Sequence, residues 1–159
     1  EFISMTSQQI IPESMKTSII RICSYDDKNL KGTFYNQYYS EEIAFGNLTR
    51  LLLLMEDMMN SMDCPQSSVR SRRFGKEAKI PEKNSMVQQQ KLDKPVIATF
   101  TVRVLFRQEA SWQGKLCWLE GKQEKTFRSA LELIKLLDSV LPQPEPHNLN
   151  LIGEVPKTG

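Results

Sequence analysis

Histidine and closely spaced cysteines, from which most nucleophilic and zinc sites are built, are scarce in this chain of 159 residues. A Ser-His-Asp or Cys-His arrangement would depend on His147, the single histidine, which lies in a proline-rich tail. Cys23, Cys64 and Cys117 have no close cysteine or histidine neighbour, which favours buried, reduced thiols over disulfides or a zinc site. Phosphate-binding GxGxxG, GxxxxGKS and GxxxxGKT strings are absent. We therefore expect no catalytic residue, metal or cofactor, and predict that the protein is not an enzyme.

Long apolar runs are missing too, which argues against a membrane span. The longest run, Leu51–Met55, is far shorter than the roughly 20 residues that cross a bilayer. The N-terminus has no basic stretch followed by an apolar one, so secretion is not expected and a cytoplasmic location is predicted. We interpret residues 1–14 as an expression remnant or a flexible N-terminus, with Met5 or Met15 as the natural start.

The residues that are present fall into two similar halves. Six residues of the first half recur in the second at a constant offset of 82 positions, without a gap. They are Arg21, Gly32, Glu42, Phe45, Leu51 and Leu54, which recur as Arg103, Gly114, Glu124, Phe127, Leu133 and Leu136. Self-similarity at a fixed offset predicts an internal duplication.

Each half is predicted to be a β-β-β-α unit. The first strand, Ser18–Tyr25, alternates apolar and polar residues. Gly32 and Gly114 precede the second strand, which is Thr33–Tyr39 in the first unit, and they predict a bulge or a crowded approach of two backbones. The helices carry apolar stripes at helical spacing: Leu48, Leu51, Leu52, Met55, Met58 and Met59, then Ala130, Leu133, Ile134, Leu137, Val140 and Leu141.

The fold class that follows is α+β, with two tandem β-β-β-α repeats, pseudo-two-fold symmetry and an antiparallel sheet that carries the helices on one face. The domain spans residues 15–141, with repeats 17–62 and 98–141, a basic linker 63–97 and a Pro-rich tail 142–159. Phe45, Phe127, Trp118 and the helical stripes are the predicted core. Ser129 and Glu132 predict a capping box at the second helix, and Asn47 is predicted to cap the first helix without a box, because Arg50 stands at the glutamate position.

A resemblance to known proteins starts at the string FRQEASWQGKLCWLEGKQEKTFRSALELI. This stretch, mainly Phe106 to Leu141, resembles a family of small uncharacterised proteins from anaerobic gut bacteria that share a WQG, W-x-E, FRSALEL pattern. The resemblance is weaker around FYNQYYSEEIAF. It implies a bacterial cytoplasmic protein and supplies no site residue.

The face of the sheet opposite the helices is the first candidate binding surface. Strand alternation is expected to place there Arg21, Tyr25, Tyr35, Tyr39, Arg103, Arg107 and Lys115. Arg21 with Glu42, and Arg103 with Glu124, are expected to pair across strands. Basic and aromatic side chains on an open sheet suit nucleic acid. Ile19, Leu105 and Leu119 on the same face suit a protein interface or a homodimer equally well.

The linker is the second candidate. Between Val69 and Pro95 it carries eight Lys or Arg residues against three Asp or Glu, within a chain of net charge +2. Five of them, Arg70, Arg72, Arg73, Lys76 and Lys79, would neutralise phosphates in a nucleic-acid complex or merely keep the linker soluble. We predict a non-enzymatic binding or regulatory module acting through a protein interface. The alternative is a nucleic-acid-binding protein that uses the basic linker and the basic and aromatic sheet face, for example as an inhibitor of a nucleic-acid-guided nuclease.

Overall fold

Two long strands with alternating apolar residues pair antiparallel at the centre of the fold. The computed structural model describes residues 10–67, 74, 94–108 and 111–143. Its elements are α1 (Glu13–Lys16), β1 (Ser18–Asp26), β2 (Asn29–Tyr35), β3 (Glu42–Phe45), α2 (Leu48–Met62), β4 (Ala98–Gln108), β5 (Ser111–Trp118), β6 (Gln123–Phe127) and α3 (Ala130–Val140). The sheet order is β3-β2-β1-β4-β5-β6, and every neighbouring pair is antiparallel. The predicted α+β class with an antiparallel sheet is confirmed.

The hydrophobic core lies between the sheet and the two long helices. Buried residues of α2 and α3 belong to the same apolar cluster as Ile20, Phe34 and Phe100, so both helices cover one face of the sheet. Phe45 and Phe127, both predicted core residues, are 2% and 1% exposed. Trp118 is only partly buried, although it packs against the cluster.

The helices begin where their capping residues predict. The Asn47 side chain accepts a hydrogen bond from the Arg50 N–H at 2.8 Å, and Ser129 Oγ accepts one from the Glu132 N–H at 3.1 Å. The carboxylate of Glu132 binds the N–H of Arg128 at 2.9 Å. It thus reaches one residue beyond the cap and satisfies a backbone donor just before the helix.

Both central strands contain a bulge, and each bulge lies opposite a glycine. The register of β1 shifts between Ile22 and Ser24, beside Gly32, and that of β4 shifts between Val104 and Phe106, beside Gly114. A Cβ atom at Gly32 would overlap the carbonyl oxygen of Arg21, and one at Gly114 would overlap that of Arg103. The predicted crowding at both glycines is confirmed.

The second strand is Asn29–Tyr35 and not Thr33–Tyr39, and it ends early because Asn36 forms a turn. Asn36 is fully buried, and its Oδ1 accepts a hydrogen bond from the Tyr38 N–H at 2.9 Å. Its Nδ2 donates to the carbonyl of Met15 at 2.8 Å and to Ser18 Oγ at 2.9 Å. An asparagine that bonds the backbone two residues ahead ends a strand, which leaves Tyr38 and Tyr39 in the turn.

Several predicted segments lie outside the described residues. These are residues 1–9, linker positions 68–73 and 75–93, and tail positions 144–159, which include His147. Glu13 and Ser14, assigned from the sequence to the N-terminal segment, belong to α1. In the described part of the chain, no helix combines the length and apolarity that a membrane crossing requires.

Candidate functional site

The sheet face that α2 and α3 leave uncovered is called the open face here. It is formed by the residues that alternate with the buried ones in each strand. They include Ile19, Arg21, Thr33, Tyr35, Thr99, Thr101, Arg103, Phe106, Lys115 and Cys117. Four of the predicted binding residues therefore lie on this face, namely Arg21, Tyr35, Arg103 and Lys115.

Every predicted cation that lies on the open face is paired with a carboxylate. Arg21 forms the predicted ion pair with Glu42. The predicted pair of Arg103 with Glu124 does not form. Arg103 binds Glu13 of α1 at 2.8 Å, and Glu124 lies 3.6 Å from Lys115 instead. Hydrogen bonds from Lys16 and Arg103 lower the pKa of Glu13, which keeps that carboxylate ionised at neutral pH.

The prediction that Arg107 lies on the open face is wrong. Arg107 is 3% exposed and points toward α2, where it lies 2.6 Å from Asn60 Oδ1 and 3.5 Å from Glu56 Oε1. Its Nε donates to the carbonyl of Pro65 at 2.6 Å. The β4 bulge adds one residue to the strand and reverses the alternation beyond it, so Arg107 faces the core side together with its neighbour Trp112.

Tyr25 and Tyr39 also lie on the helix side. The β1 bulge turns Tyr25 toward α3, where its hydroxyl donates to the Asp138 carboxylate. Burial, reinforced by Asp138, raises the pKa of Tyr25 to about 12, so this phenol remains a proton donor. Tyr39 packs edge-on against Phe34, with ring centroids 6.4 Å apart, and burial raises its pKa to about 12. Of the tyrosines predicted for the open face, Tyr35 remains there.

Apolar side chains are uncovered at both ends of the open face. Ile97 and Leu119 lie just outside β4 and β5 and are 43% and 45% exposed. The Ile97 N–H donates to the carbonyl of Ile22 at 2.7 Å and the Leu119 N–H to that of Thr99 at 2.9 Å, which fixes both backbones against the central strands. Phe106, at the far end of β4, is 53% exposed. The face therefore presents fixed apolar groups beside neutralised charges.

None of the three cysteines forms a disulfide in the described part of the chain. All three are free thiols, Cys23 being buried and Cys64 and Cys117 half-buried, so the prediction of burial holds for the first alone. Burial raises the pKa of the Cys23 thiol, which keeps it protonated at neutral pH. Within the described ranges, no group of three or more His, Cys, Asp or Glu residues is arranged to hold a metal ion.

The five linker cations, Arg70, Arg72, Arg73, Lys76 and Lys79, lie outside the described residues. Their role in binding phosphates stays a prediction.

Sequence reasoning missed a polar cluster beside α3. Lys28 Nζ donates to Asp138 Oδ1 at 2.7 Å and to Gln143 Oε1 at 2.8 Å, and it lies 5.6 Å from the centroid of the Tyr25 ring. Hydrogen bonds from Lys28 and Tyr25 lower the pKa of Asp138. Asp27 and Lys28, both with positive φ, form the two-residue turn between β1 and β2, and Lys28 reaches α3 from this turn.

Replacing Asp138 by asparagine is expected to reduce stability in a pH-dependent way. The pKa of Asp138 is lower in the folded chain than its ordinary value of 3.8, so ionised Asp138 stabilises the fold above that pH. This contribution is lost as the pH falls through the folded-state pKa. Urea unfolding should therefore show that wild type is more stable than Asp138→Asn at neutral pH. The difference in their free energies of unfolding should narrow below pH 3.8. A gap that stays constant into acid would mean that the ion pair contributes nothing.

Comparison of the chain with protein-family models, with curated proteins and with solved structures finds no significant match.

Proposed function

We propose that this chain is a non-enzymatic binding module that acts through a protein interface on the open face, and that a second copy of the chain is its first partner to test. The observation that supports this proposal is the pairing of Arg21, Arg103 and Lys115 with carboxylates, next to the uncovered apolar groups Ile97 and Leu119. Protein interfaces combine an apolar centre, in which charged residues are depleted, with a polar rim.

Nucleic acid is the less favoured partner for the same surface. Phosphate binding relies on unpaired cations that release counterions, whereas the three ion pairs leave the predicted cations of the open face neutral as a group. Lys31 adds an exposed charge on β2. Base stacking on an open sheet needs several aromatic rings, and Tyr25 and Tyr39 lie on the helix side. A nucleic-acid complex, including inhibition of a nucleic-acid-guided nuclease, would depend on the linker.

We also propose that the two halves are tandem repeats related by a pseudo-two-fold axis between β1 and β4. Three kinds of local feature recur at the offset of 82: the bulges beside Gly32 and Gly114, the pairings Gly32–Phe45 and Gly114–Phe127, and the caps Asn47 and Ser129. The antiparallel pairing of the central strands fits such an axis.

The three free thiols suit the reducing cytoplasm in which we place the protein.

The oligomeric state tests the proposed interface. We expect the wild-type chain to sediment as a dimer. Leu119→Lys should raise the dissociation constant of this dimer at least about tenfold, because a buried ammonium group is costly in an apolar interface. Leu131→Lys is the matched control, since Leu131 is 60% exposed on α3, which packs on the other side of the sheet. It should leave the dimer unchanged.

Two outcomes would overturn the proposal. One is a dimer that Leu119→Lys does not weaken. The other is a monomer that shifts nucleic acid in gels at low salt, with a steep salt dependence that flattens when Arg70, Arg72 and Arg73 are neutralised together. That second result would establish the nucleic-acid alternative.

A further inference from the structure

A cleft of about 330 Å³ opens on the helix side of the sheet, between the β1–β2 hairpin, the start of α2 and the end of α3. Its walls are apolar and come from three separate elements. They are formed by Leu30, Leu48, Ile134, Leu137 and Leu141. Its volume lies within the range of about 300–1,000 Å³ that small-molecule sites occupy. The open face is on the other side of the sheet, so this cleft is independent of the proposed interface.

The polar lining of the cleft is positively charged. Lys28 and Lys135 contribute two ammonium groups and Asp138 one carboxylate. Asp138 already binds Tyr25 and Lys28. Lys28 uses two of its three N–H donors on Asp138 and Gln143, and Lys135 makes no ion pair with any residue that the structure describes. Donors therefore remain available for an anionic group, whereas the one carboxylate is satisfied.

The corresponding place beneath α2 is filled by the protein itself. Trp112, which stands 82 positions after Leu30, lies beneath α2, and its indole Nε1 donates to Glu56 Oε2 at 3.0 Å. Arg107, at the same offset from Tyr25, fills the remaining space with bonds to Asn60 and Pro65. The Leu30 side chain beneath α3 is smaller than the Trp112 side chain beneath α2. This difference in side-chain volume leaves the cleft beneath α3.

We propose that this cleft binds a small amphipathic organic anion, with an apolar body against the partly exposed side chains of Leu48 and Ile134 and a single carboxylate beside Lys28 and Lys135. The apolar walls exclude a highly charged ligand such as a nucleotide, because burying several charges against leucine side chains is costly. The excess ammonium group selects an anion over a neutral or cationic ligand of the same shape.

Decanoate is a suitable probe, used below its micelle-forming concentration with the full chain, and its binding is measured by calorimetry. We expect one site, with Lys28→Gln/Lys135→Gln weakening decanoate at least about tenfold while decanol binding changes little, because only the anion uses the ammonium groups. Leu30→Trp should weaken both ligands about tenfold or more, since the indole occupies the cleft. Lys31→Gln, an exposed neighbour on the open face, is the control and should bind like wild type.

Three results would overturn this inference. The first is a calorimetric titration in which decanoate does not bind at a single site. The second is decanol or decyltrimethylammonium binding as tightly as decanoate, which would mean that the charge of the cleft selects nothing. The third is a folded Leu30→Trp variant that binds decanoate like wild type. The dimer measured for the open face would be unaffected by any of them, so the two proposals fail separately.

Discussion

Replacing Phe127 by alanine is expected to lower the free energy of unfolding by about 3–5 kcal/mol. Phe127 is 1% exposed, is paired with Gly114 across the last two strands and belongs to the central apolar cluster. Removing its ring deletes the buried apolar surface and leaves a cavity, because strands held by a hydrogen-bond ladder collapse only partly. A loss of this size is a large part of the stability of a single domain.

Chemical unfolding of Phe127→Ala beside wild type measures this loss. Leu131→Ala is the control, since Leu131 is 60% exposed on α3, away from the open face, and its truncation should change stability by no more than about 0.5 kcal/mol. Equal midpoints for Phe127→Ala and wild type would show that the ring is not part of the core.

Replacing Gly32 by alanine is expected to cost about 3 kcal/mol, the upper end of overpacking effects. The new Cβ would overlap the carbonyl oxygen of Arg21 and come within 3.0 Å of the Ile22 Cα. These are backbone atoms of the neighbouring strand, so no side-chain rotation relieves the clash, and β1 and β2 must separate or shift register. Gly114→Ala should behave alike, with a further contact of 2.9 Å to the Phe127 ring.

Gly46→Ala separates this steric effect from the general effect of removing a glycine. Apart from Gly46 itself and its two chain neighbours, no residue has an atom within 4 Å of a Cβ built there, so this change should be neutral or stabilise by up to about 1 kcal/mol through the unfolded state. Thermal melts of the three variants provide the comparison. A Gly32→Ala melt that matches the Gly46→Ala melt would show that the strands accommodate a methyl group at the bulge.

Local pattern was sufficient to predict much of the fold. Apolar spacing predicted both long helices, Asn47 and Ser129 predicted their first turns, and Gly32 and Gly114 predicted the crowded bulges. These features depend on residues close in sequence, where backbone geometry and capping chemistry decide the outcome.

Two errors at the candidate site, those at Arg107 and Tyr25, have one physical source, whereas the Tyr39 error comes from the Asn36 turn. At a bulge, two residues of one strand lie opposite a single residue of the partner strand. A prediction that continues the alternation of faces through the bulge therefore places every later side chain on the wrong face. That is why Arg107 and Tyr25 lie under the helices. The cleft beneath α3 had no sequence signal, because a void depends on how elements far apart in the chain meet.

The central strand pair has a kinetic consequence. In the part of the sheet that the structure describes, the pairing of β1 with β4, from Ser18–Val102 to Ile22–Ala98, is the one strand contact that joins the first three strands to the last three. Hairpins such as β1–β2 close over a two-residue turn within about 1–10 μs, whereas the β1–β4 seam must first close a long loop, at an entropic cost that local contacts do not carry. We therefore expect the seam to form last and to govern how fast the chain folds. Substitutions such as Phe100→Leu at the seam should slow folding, whereas those at the outer edge of β3 or β6 should mainly speed unfolding.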